Sequence, residues 1–557
     1  MAKKLAVFDF ETDPFLFGRV PEPFAWGFYD GENYIHCWGS EGAALELKHS
    51  KSIDAKRKLI AQRCIDQLKE FLENSQDEYL IYAHNGGKFD FMFFLSHFEK
   101  SLRIVNGRIL EASWGKHVFR DSYAILPIPL AEYEKDVIDY KLMELNERDK
   151  HKQEILDYLK TDCLALHKLV SAFVGEFGDV LTIGSAAMKE FKKFHKFEQA
   201  NKGFDLFFRK FYYGGRCQCF ETGMIKPHKN KKIHEMDVHS MYPSVMDDSL
   251  HPISLRNKLG SRVSKKTAFV CWQGKNFNAV PARTKKGLDF TLEHSRYTNE
   301  NEFFTTVHEF NAGLETGTIK PERLKYTVDF HEQIKFSEFV NHFYESRMIA
   351  KQQGDIFHTI FYKLILNSSY GKQAQDSSDF KDNIILPYGE IPELILLSDG
   401  VTQAPPEKQW MLEYQHNNYA IWSKPADRHS YYNVAIAASI TGAARAKLLL
   451  GLSKATRPLY CDTDSIFCES FSGQTDDKKL GTWGLGKSGD LMAIAGKKLY
   501  ALMDNDVCVK KASKGVRLGF EDIVKIAQGE TVECKIDAPA FKLDGNHQFI
   551  SRRIRRT

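Results

Sequence analysis

The sequence has no uninterrupted run of about 18 apolar residues, the length that a membrane-spanning helix requires, so no membrane span is expected. Its 10 cysteines are scattered without a CxxC pair, which argues against both a zinc site and a disulfide framework. Low-complexity tracts are also absent, and 43% hydrophobic and 27% charged residues are ordinary values for a soluble globular protein. We therefore expect a chain that folds throughout in a reducing, cytoplasmic setting.

The length of 557 residues is too great for one compact core, and at roughly 150 residues per domain it predicts three or four structural units. The net charge of +4 and the pI of about 8.3 are only mildly basic, which is weak evidence for a nucleic-acid partner. Basic residues do cluster, for example in residues 551–556, but a solvated surface explains each cluster equally well.

Acidic residues follow predicted strands at two places in the first third of the chain. The apolar run at residues 5–10 is typical of a buried strand and contains Asp9, with Glu11 directly after it. Side chains two apart in a strand share a face, so these carboxylates project together and must pair with cations or bind a metal. Taken alone, a surface acidic pair is the commoner explanation. A second apolar run, Tyr79–Ala83, leads through a glycine turn to Asp90.

A third acidic group lies in a stretch with helical periodicity, where Tyr158 and Asp162 share a face. Together the three pieces resemble the DEDD-type 3′→5′ exonuclease domain of family B DNA polymerases, whose pattern is DxE, then Nx2-3(F/Y)D, then Yx3D. In that resemblance Asp9, Glu11, Asp90 and Asp162 are the four acids. The resemblance implies that they hold two divalent metal ions, which activate water and stabilise the leaving 3′ oxygen.

The same resemblance implies roles for residues around these acids. Tyr158 would orient the attacking water, and Lys135, in a Kx2h element, would stabilise the scissile phosphate. Asn85, Phe89 and Ser122 would bind the frayed single-stranded primer end, with Phe89 packing on a sugar or base. Two alternatives remain open, namely unrelated acids that match by chance and an intact exonuclease fold without activity.

Two further acidic clusters follow predicted strands in the remainder of the chain. Residues 233–243 predict a strand that ends in a turn and carries Asp237. Residues 459–467 predict two apolar strand halves around an acidic turn with Asp462 and Asp464. If these strands are neighbours, the carboxylates face one another and supply the metal ligands that phosphoryl transfer needs. A plain hairpin turn is the alternative for residues 459–467.

Between these clusters a helical stretch places Lys363, Asn367 and Tyr370 at positions i, i+4 and i+7, with Lys351 upstream. Such a polar and aromatic face suits a nucleotide, because lysines bind phosphates and a tyrosine ring packs on a base or sugar. A solvated helix face is the alternative interpretation.

In order and spacing, these segments resemble motifs A (DxxS(L/M)YP), B (Kx3NSxYG) and C (DTDS) of family B DNA polymerases, and the resemblance spans residues 9–500. Three smaller elements of the family also match, and the resemblance implies that they contact DNA, with the glycines admitting the template backbone. They are YxGG with Tyr212, Gly214 and Gly215, Tx2(G/A)R with Thr441 and Arg445, and KxY with Lys498 and Tyr500.

The motif resemblance also implies a polymerase metal site. Asp237 and Asp464 would hold two catalytic ions, Mg²⁺ or Mn²⁺, with the carbonyl of Val238 as a further ligand and Asp462 as a supporting acid. Tyr242 would lie under the sugar of the incoming nucleotide and collide with a 2′-hydroxyl, which selects deoxynucleotides.

The position of Asp9 near the start of the chain distinguishes it from cellular family members, which usually carry a further domain before the exonuclease. This compactness, with the YxGG and Kx2h matches, resembles the protein-primed branch of bacteriophages with linear genomes and of linear plasmids. The resemblance implies a terminal protein as primer, template and primer DNA, deoxynucleoside triphosphates, strand displacement, a monomer and the cytoplasm of a bacterial host. An oligonucleotide-primed repair or replicative polymerase and a catalytically silent DNA-binding scaffold remain as alternatives.

The fold class implied is α/β and α+β with several domains, an RNase-H-like exonuclease domain followed by a right-hand palm, fingers and thumb polymerase with two insertions. The first insertion would contact the terminal protein, and the second would encircle template and downstream duplex. The predicted divisions are exonuclease at 1–180, palm at 181–249 and 428–500, insertions at 250–337 and 373–427, fingers at 338–372 and thumb at 501–557.

Overall fold

The computed structural model describes residues 3–50, 52–129, 138–286, 289–293, 302–376, 380–392, 409–426, 432–476 and 479–557. One cluster of buried apolar side chains includes Val7, Phe173, Phe361, Ile440 and Ile466. Because these residues come from distant parts of the sequence, the N-terminal third shares a continuous core with the rest of the chain.

The N-terminal third consists of a mixed β-sheet and the helices that pack on it. Its elements are β1 (Lys4–Thr12), β2 (Pro23–Tyr29), β3 (Tyr34–Trp38), α1 (Ala44–His49), α2 (Ile53–Asn74), β4 (Tyr79–Ala83), α3 (Asp90–Phe93), β5 (Glu99–Val105), β6 (Arg108–Trp114), β7 (His117–Asp121) and α4 (Lys152–Phe177). β1 is parallel to β4, which is parallel to β7. α4 packs across β1 and β2, and Gly27 permits this approach because a Cβ there would lie 2.9 Å from Cys163 Sγ.

The next segment begins with two helices and leads into three short strands. Its elements are α5 (Ile183–Phe194), α6 (Lys202–Phe208), β8 (Cys217–Cys219), β9 (Gly223–Ile225), β10 (Ile233–Val238) and α7 (Met241–Asp248). β10 and α7 contain the motif A resemblance, with Ser240 in the left-handed region (φ of 51°) at the junction between them.

The region of the first predicted insertion forms an antiparallel sheet of order β12–β17–β13–β16 with one helix and two smaller strand pairs. Its elements are β11 (His251–Pro252), β12 (Asn257–Gly260), β13 (Thr267–Asn276), β14 (Ala282–Lys286), β15 (Asp289–Glu293), β16 (Glu302–Thr306), α8 (Val307–Glu315), β17 (Ile319–Phe330) and β18 (Gln333–Ile334). A capping box between Thr306 and Glu309 begins α8.

The predicted fingers are two helices, α9 (Ser337–Gln352) and α10 (Ile356–Gln373), with the Asp355 side chain capping the second. α5 packs on both, and the rings of Phe191 and Phe339 lie 5.2 Å apart. The sequence assigned α5 to the palm because that division began at 181. Its packing on α9 and α10 shows that the predicted palm and fingers divisions adjoin at this helix.

Three strands follow the fingers helices: β19 (Lys381–Pro387), β20 (Met411–Gln415) and β21 (Tyr419–Pro425). β19 pairs with β5, so these strands extend the N-terminal sheet to ten strands. The second predicted insertion is therefore joined by main-chain hydrogen bonds to the predicted exonuclease domain. From sequence, the turn signals Ser-Asp-Gly at 398–400 and Pro-Pro at 405–406 predict hairpins in this insertion. They lie outside the described residues.

The palm sheet has the order β24–β10–β23–β22–β8. Its later strands follow α11 (Val434–Leu452) and are β22 (Ala455–Asp462), β23 (Ser465–Phe471) and β24 (Trp483–Gly489). By length and composition α11 is apolar enough to cross a membrane, but 89% of its apolar window is buried inside the protein. It is the core helix of this region, packed on α7, α8 and α10.

The C-terminal part contains a further antiparallel sheet and a terminal hairpin. Its elements are β25 (Leu491–Gly496), β26 (Leu499–Asp504), β27 (Val507–Ser513), α12 (Phe520–Gln528), β28 (Val532–Phe541) and β29 (His547–Ile554). The sheet has the order β27–β26–β25–β9. The predicted boundary between palm and thumb at 500/501 falls inside β26 and is corrected, because a paired strand is not a domain boundary.

Candidate active sites

Asp237 and Asp464 meet at one end of the palm sheet. β10 is antiparallel to β23 with Asp237 opposite Ser465, and the N–H of Val238 donates to the carbonyl of Asp464 at 2.9 Å. Burial and the charges of Asp464 and Glu235 raise the pKa of Asp237 to about 7. Burial also raises the pKa of Asp464. A divalent cation would relieve both the repulsion and the lost hydration, so these residues fit a metal site.

The turn that carries Asp464 rests on the YxGG segment. Thr463 has a φ of 58°, and its N–H donates to the carbonyl of Arg216 at 2.6 Å. A Cβ at Gly215 would lie 2.7 Å from Thr463 Oγ1. Gly215 is therefore required by the acidic turn of the protein itself, which corrects the expectation that it admits the template. Gly214 is exposed and Tyr212 is half-buried beside it.

Asp462 is paired with a lysine. Lys498 Nζ donates to its two carboxylate oxygens at 2.7 and 2.8 Å, and the hydroxyl of Tyr460 donates to Oδ2 at 3.3 Å. The N–H of Lys498 donates in turn to the Tyr460 hydroxyl at 2.9 Å. Since the charge of Asp462 is compensated within the protein, the arrangement supports its predicted role as a supporting acid.

A second ion pair at this site was not predicted from sequence. Lys510 on β27 forms a hydrogen-bonded ion pair with Glu235 on β10, which is only 2% exposed. The N–H of Lys487 also donates to Glu235, at 3.3 Å. The positive charge of Lys510 opposes the rise in the pKa of both Asp237 and Asp464, so it lies within electrostatic range of both acids. The position of Glu235, two residues before Asp237, was the available signal.

The predicted nucleotide face lies beside the acids. The rings of Tyr242 on α7 and Tyr370 on α10 are stacked, with centroids 4.2 Å apart and an interplanar angle of 21°. Lys363 and Asn367 are exposed on α10, and Lys351 is exposed at the end of α9. The helix spacing therefore places the predicted polar side chains in solvent, where a triphosphate could reach them.

Arg445, predicted to contact DNA, is 5% exposed and points into the protein. Its Nε donates to Glu309 at 2.7 Å, and one terminal nitrogen donates to the carbonyls of Tyr213 and Gly214 at 2.5 and 2.9 Å. Arg445 thus connects the YxGG segment to α8 of the first insertion. The predicted direct DNA contact is corrected, because a buried guanidinium acts on DNA only through the segment it positions.

Three further residues predicted to bind DNA are also buried, and that prediction is corrected for each. The Thr441 hydroxyl donates to the carbonyl of Ala438 within α11. Tyr500 is 5% exposed and packs on Tyr460, with centroids 4.9 Å apart. Ser122 is fully buried, and its hydroxyl donates to the carbonyl of Ala83 at 3.3 Å.

A second acidic site lies where β1 meets α4. Oxygen atoms of Asp9, Glu11 and Asp162 all lie within 4.8 Å of one another, close enough to hold one metal ion. Asp90 is buried beside them, and burial raises its pKa to about 7. Its Oδ1 atom is buried without a hydrogen-bond partner. A buried, unsatisfied carboxylate oxygen beside three other acids fits a cation, so these residues too fit a metal site.

The charges of all four acids act on one buried thiol. Burial, followed by the charges of Asp9, Asp162, Glu11 and Asp90, raises the pKa of Cys163. The sequence pattern therefore identified residues that do lie together, although they come from three separate segments.

The turn before Asp90 is held by a buried ion pair that sequence reasoning missed. Asp121 pairs with Arg108 and accepts from the N–H of Gly87 at 3.2 Å. A Cβ at Gly87 would collide with the carbonyl oxygen of Ile109. Asp121 therefore fixes the turn, and its signal in sequence was only that it directly precedes Ser122.

The other predicted exonuclease residues border these acids. Tyr158 is buried on α4, and its hydroxyl lies 3.4 Å from that of Tyr140. Burial, the Tyr140 hydroxyl and Asp162 raise its pKa. Asn85, with a φ of 62°, and half-buried Phe89 flank the glycine turn. Lys135 lies outside the described residues.

Comparison with known proteins agrees with this arrangement. The family described as "DNA polymerase type B, organellar and viral" matches residues 128–458. The DNA-directed DNA polymerase of Enterobacteria phage PRD1 is 46% identical over 585 residues, which cover 100% of this chain and 98% of that protein. A probable DNA polymerase of Agaricus bitorquis is 24% identical over 394 residues, 56% of this chain and 47% of that protein.

Solved structures show the same fold. Phi29 DNA polymerase in a ternary complex with primer-template DNA and incoming nucleotides has a TM-score of 0.68 at 17% identity, with 100% of both chains covered. Its complex with single-stranded DNA has a TM-score of 0.67 at 16% identity, again over 100% of both chains. The predicted fold class, an exonuclease domain followed by a right-hand polymerase, is confirmed. Because the family match spans more than half of the chain and the phage PRD1 enzyme is 46% identical across it, this chain belongs to the type B DNA polymerases of viruses and organelles.

Proposed function

We propose that this DNA-directed DNA polymerase replicates a linear, phage-type genome in the cytoplasm of a bacterial host, with a terminal protein as primer, strand displacement and 3′→5′ proofreading. The observation that carries the polymerase site is the meeting of Asp237 and Asp464 across β10 and β23, beside the stacked rings of Tyr242 and Tyr370.

Type B DNA polymerases use divalent metal ions, and we assign two ions, Mg²⁺ or Mn²⁺, to Asp237, Asp464 and the carbonyl of Val238. When bound, they would lower the pKa of the primer 3′-hydroxyl and neutralise the transferred phosphoryl group. The positions of the carboxylates determine where these divalent ions would bind. Lys363 and Lys351 neutralise the triphosphate, and their exposure leaves them free to reach it.

Primer extension by Asp237→Asn and Asp464→Asn tests the polymerase site. Each variant should lose at least about 1000-fold in rate, because a neutral amide cannot replace a metal carboxylate. Asp506→Asn makes the same chemical change at an exposed turn between β26 and β27 and should extend primers at the wild-type rate. Full activity in Asp464→Asn would refute the assignment.

For proofreading, the supporting observation is the group of Asp9, Glu11 and Asp162 with the unsatisfied oxygen of Asp90. These side chains would hold two divalent ions that generate the attacking hydroxide. Tyr158 lies on α4 one helical turn before Asp162, so its hydroxyl is placed to orient the attacking water.

Degradation of single-stranded DNA by Asp9→Asn and Asp162→Asn tests this second site. Both variants should lose exonuclease activity yet extend a matched primer normally, since the two sites lie on different sheets. Equal loss of both activities would mean that the substitutions act on folding. Titration of Mn²⁺ into the wild type and each variant counts the ions, and we expect two per site.

Protein priming is supported by the fold likeness over the full length of phi29 DNA polymerase and by the sheet β12–β17–β13–β16, which lies in the region of the first predicted insertion. Incubation with the terminal protein and one deoxynucleoside triphosphate, without an oligonucleotide, should yield a covalent protein-nucleotide product. Extension from oligonucleotides alone would favour the oligonucleotide-primed alternative. Sedimentation should give a monomer.

Strand displacement is supported by the pairing of β19 with β5, which ties the second insertion to the N-terminal sheet. On a primed circular single-stranded template, we expect products longer than one circle without a helicase. Products that stop at one circle would contradict this part of the proposal.

A further inference from the structure

A short loop follows β1 and is held rigidly at its base. Asp13 is 2% exposed and accepts from Arg57 Nε at 2.7 Å and from a terminal nitrogen of Arg148 at 3.0 Å. Further along, Arg19 makes a two-pronged ion pair with Glu144, both contacts at 2.9 Å. Two buried arginines on one carboxylate and a bidentate pair give the loop a fixed geometry.

The tip of this loop exposes three consecutive apolar residues. Phe15 is 45%, Leu16 47% and Phe17 40% exposed. A backbone hydrogen bond from Arg19 N–H to the Leu16 carbonyl, at 3.0 Å, closes the turn that presents them. Three partly exposed apolar residues side by side on a rigid loop form an apolar patch, and such patches mark binding surfaces.

The neighbours of the tip connect it to the exonuclease site and to the C-terminal hairpin. The Phe15 ring lies 5.5 Å from that of Phe89, the residue directly before Asp90. The Phe17 ring lies 5.5 Å from Phe549 on β29. Lys535 on β28 places its ammonium 5.4 Å from the centre of the Phe17 ring. The tip therefore contacts both the rim of the acidic site and the C-terminal hairpin.

We infer that Phe15, Leu16 and Phe17, with Lys535 opposite, form a base-stacking subsite for the unpaired 3′ segment of single-stranded DNA upstream of the scissile nucleotide. This subsite, here called the loop-tip subsite, deepens the proposed exonuclease function and rests on it. Exposed aromatic rings bind single strands by stacking on bases of any sequence, and a lysine beside them contacts the phosphates. The Phe15 ring contacts Phe89, the residue directly before Asp90, so it lies within reach of a strand whose 3′ end is bound at the acids.

Single-stranded DNA is favoured over a protein partner by two features. The surface is continuous with the acidic site through Phe89. At its far side the half-exposed ammonium of Lys535 lies beside the Phe17 ring, with the Glu533 carboxylate 4.0 Å away. A positive charge beside aromatic rings complements a phosphodiester chain and its bases.

The test measures binding without cleavage. Oligonucleotides that carry 2-aminopurine at single positions near the 3′ end are mixed with the full-length enzyme in EDTA, so that stacking is read as fluorescence quenching. Phe15→Ala/Phe17→Ala should abolish the quenching at upstream positions and weaken binding about tenfold. Phe15→Tyr/Phe17→Tyr should keep both the quenching and the wild-type affinity, because the rings are retained. Leu45→Ala and Ile53→Ala, which truncate exposed apolar residues elsewhere on the same unit, serve as matched controls.

Excision rates give a second readout. The alanine double variant should remove nucleotides from a long single strand about tenfold more slowly while it degrades a dinucleotide and extends a matched primer at wild-type rates. If the wild type degrades DNA but the double variant binds and degrades it equally well, the loop-tip subsite is refuted. If the variant instead loses only terminal-protein binding, the surface belongs to a protein partner and the inference is also overturned. Absence of exonuclease activity in the wild type would refute the proposed function, and this outcome is distinct.

Discussion

The rings of Tyr242 and Tyr370 stack with their centroids 4.2 Å apart, although the two residues lie 128 positions apart in the sequence. Tyr242 is on α7 just after Asp237, and Tyr370 is near the end of α10. Burial raises the pKa of both hydroxyls, so both rings remain neutral at physiological pH. The stack is a rigid apolar floor beside the polymerase acids, and its rigidity makes it able to discriminate between sugars.

Tyr242→Val should raise the incorporation of ribonucleotides at least about tenfold relative to deoxynucleotides. A rigid ring excludes a 2′-hydroxyl by collision, and a smaller side chain removes that collision. The measurement is the ratio of kcat/KM for the two nucleotide types in single-nucleotide extension. Tyr242→Phe keeps the ring and should keep the discrimination. An unchanged ratio in the valine variant would contradict the assignment of Tyr242.

Lys498→Met should lower the polymerisation rate and shift its pH dependence upward. Lys498 compensates the charge of Asp462, and the negative charge of Asp462 already raises the pKa of Asp464, after burial. Without the lysine, Asp464 should be harder to ionise, so the acidic limb of the rate profile should move to higher pH.

The pH profile of kcat for Lys498→Met is the measurement, and Lys498→Arg provides the control because it retains the charge. Loss of rate without any pH shift would mean that Lys498 acts only through the primer. A normal profile in both variants would contradict the role given to the ion pair.

The metal-free protein should become less stable as pH rises from about 4 to about 7. In the folded state the pKa of Asp237 and of Asp90 is about 7, against an ordinary value of 3.8. In this window the folded state binds protons that the unfolded state does not, so the free energy of unfolding falls with rising pH. Asp237→Asn and Asp90→Asn should each stabilise the metal-free protein by about 1–2 kcal/mol at pH 8, after allowance for solvent screening.

Thermal unfolding in EDTA at pH 5 and pH 8 checks this expectation. The wild type should show a lower Tm at pH 8, and added Mg²⁺ should restore it because the ion replaces the protons. Asp506→Asn should behave as the wild type. A double Asp237→Asn/Asp90→Asn variant with the wild-type pH dependence would contradict the assignment of the shifted acids.

The sequence predicted the acids well because their chemistry is local. Asp9 with Glu11 and Asp462 with Asp464 each share a strand or turn, so spacing along the chain alone brings each pair of carboxylates together. The direct DNA contact predicted for Arg445 was wrong because that prediction used only the sequence motif and not the burial of its helix. α11 is apolar on every side, and a helix of that kind is buried, so this signal would have predicted the burial of Arg445 and Thr441.

Other features had no local signal. The pairing of β19 with β5 joins segments about 280 residues apart and depends on main-chain hydrogen bonds that any sequence can form. Phe15 and Phe17 were not singled out, since three apolar residues in a loop have no periodicity. Their contacts with Phe89 and Phe549 required the fold.

The ion pair of Glu235 and Lys510 also contributes to the polymerase site, and it could not be predicted from sequence because its partners are 275 residues apart. Lys510→Met would leave Glu235 buried without its partner, and one uncompensated buried charge costs about 3–5 kcal/mol. The uncompensated negative charge of Glu235, two residues before Asp237, should also raise the pKa of Asp237 and weaken metal binding. We expect the polymerisation rate to fall at least about tenfold and the Mg²⁺ concentration for half-maximal rate to rise.

A double-mutant cycle separates the charge effect from loss of packing. Glu235→Gln/Lys510→Met removes both charges, so it should be more stable and more active than Lys510→Met alone. Exonuclease activity, measured on single-stranded DNA with each variant, reports whether the N-terminal sheet stays folded and should not change. If the double variant is as defective as Lys510→Met, then Lys510 acts on the DNA or the nucleotide directly. In that case its role does not depend on neutralising the charge of Glu235. If neither variant alters the Mg²⁺ dependence, the pair stabilises the palm sheet without tuning its metal site.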